Sequence, residues 1–240
     1  MSTAKWSKMP CSWQTSKDVH EKIRGAPAGV AIAALKLYIG LCLKANFAPR
    51  KGLPETGCVR RSIEQLCALV GLSKPMVIAG LKMLVALEVI EPRGGRPATY
   101  HITEYETAKY WTKLPRDHLY DGGLGAKMPL LDSLPNRSKA TVHALQMYLY
   151  LASVRNRDSN KAMVTYERMS EVLGFGRNDI SRAISSLVSA ELISVRLGEV
   201  DDFHRSDRPC NVYWLRGSIS DEDRLDAAFE VSQGGYAEHL

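Results

Sequence analysis

The stretch GFGRNDISRAISSLVSAELISVRL, residues 174–197, holds a helix stop, an amphipathic helix and a strand in one run. Gly174 suits the end of a helix, because a residue without a side chain turns to positive φ at no steric cost. From Arg177 onward the apolar residues fall at Ile180, Ala183, Ile184 and Leu187, the spacing of one helix face. Arg177, Asn178, Ser181, Arg182, Ser185 and Ser186 point the other way. LISVRL then supplies β-branched residues in alternation and predicts a short strand.

The chain contains this unit twice. Setting residue n against n + 103 lays SIEQLCALVGLSKPMVIAGLKMLVALEVIEPR (62–93) on TYERMSEVLGFGRNDISRAISSLVSAELISVR (165–196) without a gap. Glu64 falls on Glu167, Gly71 on Gly174, Leu84 on Leu187, Glu88 on Glu191, Ile90 on Ile193 and Arg93 on Arg196. Leu66 and Met169, Leu69 and Val172, Leu72 and Phe175, Val77 and Ile180, and Leu81 and Ile184 agree in kind. An apolar pattern kept over 32 columns is an internal repeat.

Each copy predicts the same elements. Ser62 and Thr165 are N-cap candidates, with a glutamate two residues on that favours the positive helix end. Helices 63–70 and 166–173 follow, closed by Gly71 and Gly174. Second helices span 74–88 and 177–191, with Pro75 tolerated in a first turn. Two β runs complete each copy: VIEPR and ATYHI around GGRP, then LISVRL and CNVYWLR around GEVDDFHRSDRP. A longer apolar helix precedes each copy, at about 28–46 and about 138–155. The expected class is mostly α with small β-hairpins, an α+β chain.

Helix, short strand, helix, turn, helix and two-stranded hairpin resemble the winged helix-turn-helix superfamily, in two tandem copies. The resemblance covers roughly 75 residues twice and rests on the pattern quoted above. It implies that the second helix of each turn motif enters the major groove of DNA, its N-terminal half nearest the bases, while the hairpin wing follows backbone or minor groove. In the second copy this assigns base contacts to Arg177, Asn178, Ser181, Arg182 and Ser185. Arginine can grip guanine and asparagine adenine through paired hydrogen bonds, and serine reaches phosphate or base edges without bulk. At the architectural level the two-copy arrangement also resembles the iteron-binding initiators of plasmid replication.

The first copy differs in chemistry. Its helix, SKPMVIAGLKMLVALE, offers Lys74 and Lys82 among Met76, Ile78, Ala79 and Met83. An apolar front meets thymine methyls or another protein better than it reads hydrogen bonds. Two expectations stand side by side: phosphate contact by Lys74, Lys82 and the Arg93–Arg96 wing, or self-association of two chains through Met76 and Ile78. Arg60 and Arg61 add charge beside the wing. The second wing is mixed in sign, and its Arg205 and Arg208 are the expected backbone contacts. Asp201, Asp202 and His204 lack the spacing of a metal site.

Composition agrees with a polyanionic partner. Net charge is +6 and the isoelectric point about 9.0. Residues 1–27 carry +3 and residues 218–240 carry −5, which leaves +8 on the body between them. These bounds give the expected organisation: a basic N-terminal arm (1–27), a first winged-helix domain (28–102), a connector (103–137) that starts helix-like, a second domain (138–217) and an acidic tail (218–240). The arm, with Trp6, Trp13 and five Lys or Arg residues, is expected either to dock on DNA or a partner or to pack on the body.

Five cysteines (Cys11, Cys42, Cys58, Cys67 and Cys210) form no C-x-x-C pair and predict reduced thiols. AGVAIAALKLYIGLCL, 28–43, is interrupted by Lys36 and too short to cross a bilayer, so a cytoplasmic chain is expected. Phosphate-loop, nucleophile-elbow and H-E-x-x-H motifs are all missing, so neither an enzyme nor a cofactor is expected. The expected function is sequence-specific binding of double-stranded DNA by a transcriptional regulator. A plasmid or phage replication initiator is the alternative, and RNA binding is a further one. An interaction module of a chromosome-organising complex is the reading from another class, and the basic body opposes it.

Overall fold

The structure, a computed structural model, describes residues 5–49, 53, 55–121, 127–156, 159–198 and 210–217. The described chain is helical with small antiparallel sheets. It opens with strand β1 (Trp6–Pro10), a 3-10 turn (Trp13–Thr15) and helix α1 (Lys17–Gly25). The first unit follows as α2 (Ala28–Lys44), β2 (Cys58–Arg60), α3 (Ile63–Val70), α4 (Lys74–Ala86), β3 (Ile90–Gly94) and β4 (Thr99–Ile102). Strand β5 (Trp111–Pro115) and short helices α5 (Arg116–Leu119) and α6 (Pro129–Asp132) lead to the second unit. That unit is α7 (Lys139–Val154), β6 (Lys161–Met163), α8 (Tyr166–Leu173), α9 (Arg177–Ser189), β7 (Ile193–Leu197) and β8 (Asn211–Leu215). The two three-stranded sheets have matching order, β2-β4-β3 and β6-β8-β7, antiparallel throughout.

Local chemistry accounts for the turn motifs. Ser62 Oγ accepts from Gln65 N while the Gln65 side chain accepts from Ser62 N, which closes a capping box. Thr165 Oγ1 accepts from Arg168 N in the second unit. Gly71 and Gly174 end α3 and α8 at φ 64° and 66°. A side chain at either position would also collide with a neighbour, Asp132 for Gly71 and the Arg24 guanidinium for Gly174.

These two neighbours reveal how the halves are joined. Asp132, on the segment that leads into the second unit, sits against the turn of the first. Arg24, on the segment that leads into the first, donates to Gly174 O at 2.5 Å in the turn of the second. The exchange is reciprocal. It recurs in the ribbon of β1 and β5, whose sequences WSKMP and WTKLP are nearly the same. They pair antiparallel with Lys8 opposite Lys113, Trp6 opposite Pro115 and Pro10 opposite Trp111, a register that is two-fold symmetric about its centre.

Helices α2 and α7 pack against each other between the units. Every residue from Ala31 to Leu43 is buried, and every residue from Thr141 to Ala152. Helices buried on all sides are apolar all round, so the polar residues within them need partners. Lys36 Nζ donates to Asn136 Oδ1 at 2.9 Å and lies 3.5 Å from Asp132; burial lowers its pKa while Asp132 opposes that. Gln146 Nε2 donates to His20 Nδ1 and O, at 2.9 and 3.1 Å. His20 Nε2 in turn donates to Gln14 O at 2.7 Å. Burial therefore pushes the His20 pKa down to about 4.

The N-terminal segment packs on the body, one of the two expectations for it. Trp13 packs edge-on against Tyr38 of α2 at 5.2 Å, and α1 lies on α8 and α7. In the connector, the helix expected from EYETAKYW does not form. Residues 104–107 are turn, and Trp111–Pro115 is strand, because its alternating side chains find their partner in β1. The seven-residue difference between the α2–β2 and α7–β6 connections hides part of the repeat. Past it, Lys36, Leu37 and Tyr38 correspond to Gln146, Met147 and Tyr148.

Gly80 lets α4 approach α2: a Cβ there would lie 2.8 Å from the Ala33 carbonyl carbon. Gly80→Ala gains about 1 kcal/mol of helix propensity but overpacks a backbone contact, at about 1–3 kcal/mol. Net destabilisation by urea denaturation is expected, and a stabilised variant contradicts the close approach. His20, neutral when folded and near 6.5 when unfolded, makes the unfolded state bind the extra proton between those values. Its contribution is intact above pH about 6.5 and declines toward pH 4, by at most about 3 kcal/mol. The stability gap between wild type and His20→Gln should narrow over that window; a gap independent of pH refutes the assignment.

Candidate nucleic-acid interface

Helix α9 turns Ile180, Ala183, Ile184 and Leu187 into the core. Arg177, Asn178, Ser181, Arg182, Ser185, Val188 and Ser189 are exposed on its other side, and Ser186 is half-buried. The helix starts three residues after the Gly174 stop. Four contacts organise that end. The Arg177 guanidinium lies 5.5 Å from the Tyr166 ring, beside a groove of about 480 Å³ lined by Thr165, Glu167, Cys210 and Asn211. Arg182 pairs with Asp179 at 3.2 Å and donates through Nε to Asn178 O at 3.3 Å. Asp179 also approaches His143 Nδ1 at 3.9 Å.

His143 links this end to the inter-unit clasp. Its ring lies 4.3 Å from that of Phe175, and Arg24 covers Phe175 at 5.7 Å. Burial lowers the His143 pKa, with Asp179 acting in the opposite direction. The turn that leads into α9 is thus held by its own unit and by the N-terminal segment. The Arg182–Asp179 pair is exposed, and such pairs contribute well under about 1 kcal/mol. The Arg182 guanidinium can therefore exchange Asp179 for another acceptor at little cost.

The corresponding helix α4 buries Val77, Gly80, Leu81 and Leu84. Lys74 and Lys82 are exposed, and Lys74 lies 3.8 Å from Glu64. Met76 is turned toward the neck of the unit, its Cε lodged over Gly29 of α2. Ile78 instead lines a shallow apolar groove of about 390 Å³ with Ile63, Leu81, Lys82, Val85, Ala86 and Tyr100. The two residues paired in the sequence reading thus face different surroundings.

The first wing is a turn at Gly94 and Gly95, at φ 70° and 91°, following a bulge between Pro92 and Gly94. Arg93 is half-exposed and shared between Glu91 at 3.0 Å and Glu55 at 3.6 Å, which offsets its charge. Arg96 is exposed, and its carbonyl accepts from Arg60 at 3.1 Å. Arg205 and Arg208, the acidic half of the second wing with His204, and the acidic tail lie outside the described residues. Among the described residues no cluster of His, Cys, Asp or Glu could hold a metal, and no single helix is long and apolar enough to cross a membrane.

A cationic feature is only half visible in the sequence, where Trp6 and the basic residues of 1–27 are singled out but Trp111 and Lys113 are not joined to them. Trp6, Lys8, Trp111 and Lys113 gather on one face of the β1–β5 ribbon, the two indoles stacked at 6.0 Å. The signal was the near-identity of WSKMP and WTKLP, 105 residues apart. It escaped because the gapless offset of 103 does not register them.

The chain matches no family model, and no curated protein matches it significantly in sequence.

Proposed function

We propose that the chain is a sequence-specific double-stranded DNA-binding protein of tandem winged-helix architecture that acts as a transcriptional regulator. The observation that carries this reading is the exposed front of α9: Arg177, Asn178, Ser181, Arg182 and Ser185 share one solvent face of a helix whose opposite face is core. These side chains supply donors for base edges and phosphates, and Asp179 is the one carboxylate among them.

In this reading α9 enters the major groove and supplies base discrimination. Helix α4 adds phosphate contacts through Lys74 and Lys82, and its apolar centre meets thymine methyls. Arg96 and the partly neutralised Arg93 reach backbone from the first wing. Because the halves exchange segments about a pseudo-two-fold centre, a single chain would present two unequal reading heads to one site. That arrangement also favours a second reading, a replication initiator, which needs one chain to hold adjacent grooves. The apolar groove around Ile78 favours contact with another protein, including a second copy. Sedimentation of Ile78→Glu against wild type separates that role from DNA contact.

Selection of bound fragments from genomic DNA decides between the readings: operators upstream of genes support a regulator, and repeated sites at an origin an initiator. Absence of any enriched sequence refutes specific binding. Arg177→Ala and Arg182→Ala are each expected to weaken binding to the selected site by about 1–3 kcal/mol and relax base preference. Gel-shift affinity equal to wild type at fixed salt removes α9 from the groove. Arg96→Ala is expected to lower the slope of log K against log salt by about 0.9, one phosphate contact. Arg93→Ala should lower it less, since Glu91 and Glu55 already share that charge; equal slopes for both variants and wild type exclude the wing from the interface.

A further inference from the structure

We propose that the outer face of the β1–β5 ribbon, together with Phe47, is a platform for single-stranded nucleic acid. This site is separate from α4, α9 and the wings, and the inference does not depend on duplex reading.

The ribbon alternates. Ser7, Met9, Thr112 and Leu114 are buried, while Trp6, Lys8, Trp111 and Lys113 lie on the outer side, partly exposed. Trp6 and Trp111 stack with their planes 23° apart. Lys113 Nζ lies 5.2 Å from the Trp6 ring, and Lys8 Nζ 5.5 Å from the Trp111 ring. Each strand thus contributes one indole, and each indole is covered by the other strand's ammonium. Phe47 extends the cluster, edge-on to Trp6 at 5.8 Å and 66% exposed.

The exposure of Phe47 is built into the loop. Asn46 beside it is buried, donating through Nδ2 to Ala48 O, Leu53 O and Glu55 O at 3.1, 3.4 and 2.8 Å. Its Oδ1 accepts from Cys58 N at 2.7 Å. The Asn46 amide thus ties Ala48, Leu53, Glu55 and Cys58 together, and the phenyl ring next to it stays outside. The ribbon is braced from behind by Arg155, which donates to Thr112 Oγ1 and Lys113 O.

The chemistry of this face selects its partner. Aromatic planes with ammonium groups between them fit a ligand that alternates flat π-faces with anions, which is a polynucleotide strand. A duplex hides its base faces in the stack, so the strand must be unpaired. A second copy of the chain would set Lys8 and Lys113 against the same two ammoniums. Glu106, hydrogen-bonded by Thr56 near Lys8, bounds the cationic surface on one side and leaves Lys113 beside Trp6 and Phe47.

The test is fluorescence anisotropy on the full chain with three labelled probes of about 20 nucleotides: oligothymidylate, oligouridylate and a duplex of unrelated sequence. Binding of either single strand supports the platform, and the two single-stranded arms show which sugar it accepts. Phe47→Ala should weaken single-strand binding about tenfold, as expected for one lost stacking partner, with duplex affinity unchanged. Lys8→Gln with Lys113→Gln should lower the salt slope for single strands by about 1.4, again without changing the duplex slope. Should Phe47→Ala misfold by circular dichroism, the lysine pair decides alone. No single-strand binding by wild type, or equal losses on single strand and duplex, overturns the proposal, as does capture by anionic phosphatidylserine vesicles with none by oligonucleotides. A chain that fails on duplex yet binds single strands through Phe47 refutes duplex reading and leaves the platform standing.

Discussion

The structure depends on two helices that neither half can bury alone. Helices α2 and α7 are enclosed over nearly their whole length, and a three-stranded sheet with two short helices covers only part of such a cylinder. The uncovered side of each is met by the other. Once these helices are joined, Lys36 and Gln146 within them take partners from outside their own unit's sheet and turn motif, whereas His143 faces Asp179 of its own. Lys36 finds Asn136 and Asp132, and Gln146 finds His20. The leading segments are drawn across the junction by these bonds, and the Arg24 contact with Gly174 is one result.

Much of each unit was legible from sequence. The capping residues Ser62 and Thr165, the stops at Gly71 and Gly174 and the inward stripe of α9 are local features with local causes, and they form at the expected residues. The ribbon was not legible in the same way. Whether WTKLP is a strand depends on an equivalent strand some hundred residues earlier, and EYETAKYW has helix formers that tertiary pairing overrides. The role of His20 was hidden for a similar reason, since nothing near it in sequence marks Gln146 as its partner. Of the candidate site, the polarity of the α9 front was readable from periodicity. The ion pairs that partly occupy it, Arg182 with Asp179 and Arg93 with Glu91 and Glu55, were not.

The two helix fronts have diverged while their backs have not. Val77, Gly80, Leu81 and Leu84 correspond to Ile180, Ala183, Ile184 and Leu187, all buried. On the outside, Ile78 stands where Ser181 does, Ala79 where Arg182 does and Lys82 where Ser185 does. Packing constrains the back of each helix to one volume and polarity. Solvent places no such demand on the front, so chemical difference accumulates there.

The pseudo-two-fold join has an evolutionary consequence. In a homodimer every substitution appears twice, so the two halves of its binding surface stay identical and can match only symmetric targets. Here both halves belong to one chain, and a change on α4 leaves α9 as it was. The fused pair keeps the rigidity of a symmetric dimer and is released from its symmetry. The loop that displays Phe47, long in the first unit and short in the second, is a difference that a symmetric dimer could not hold.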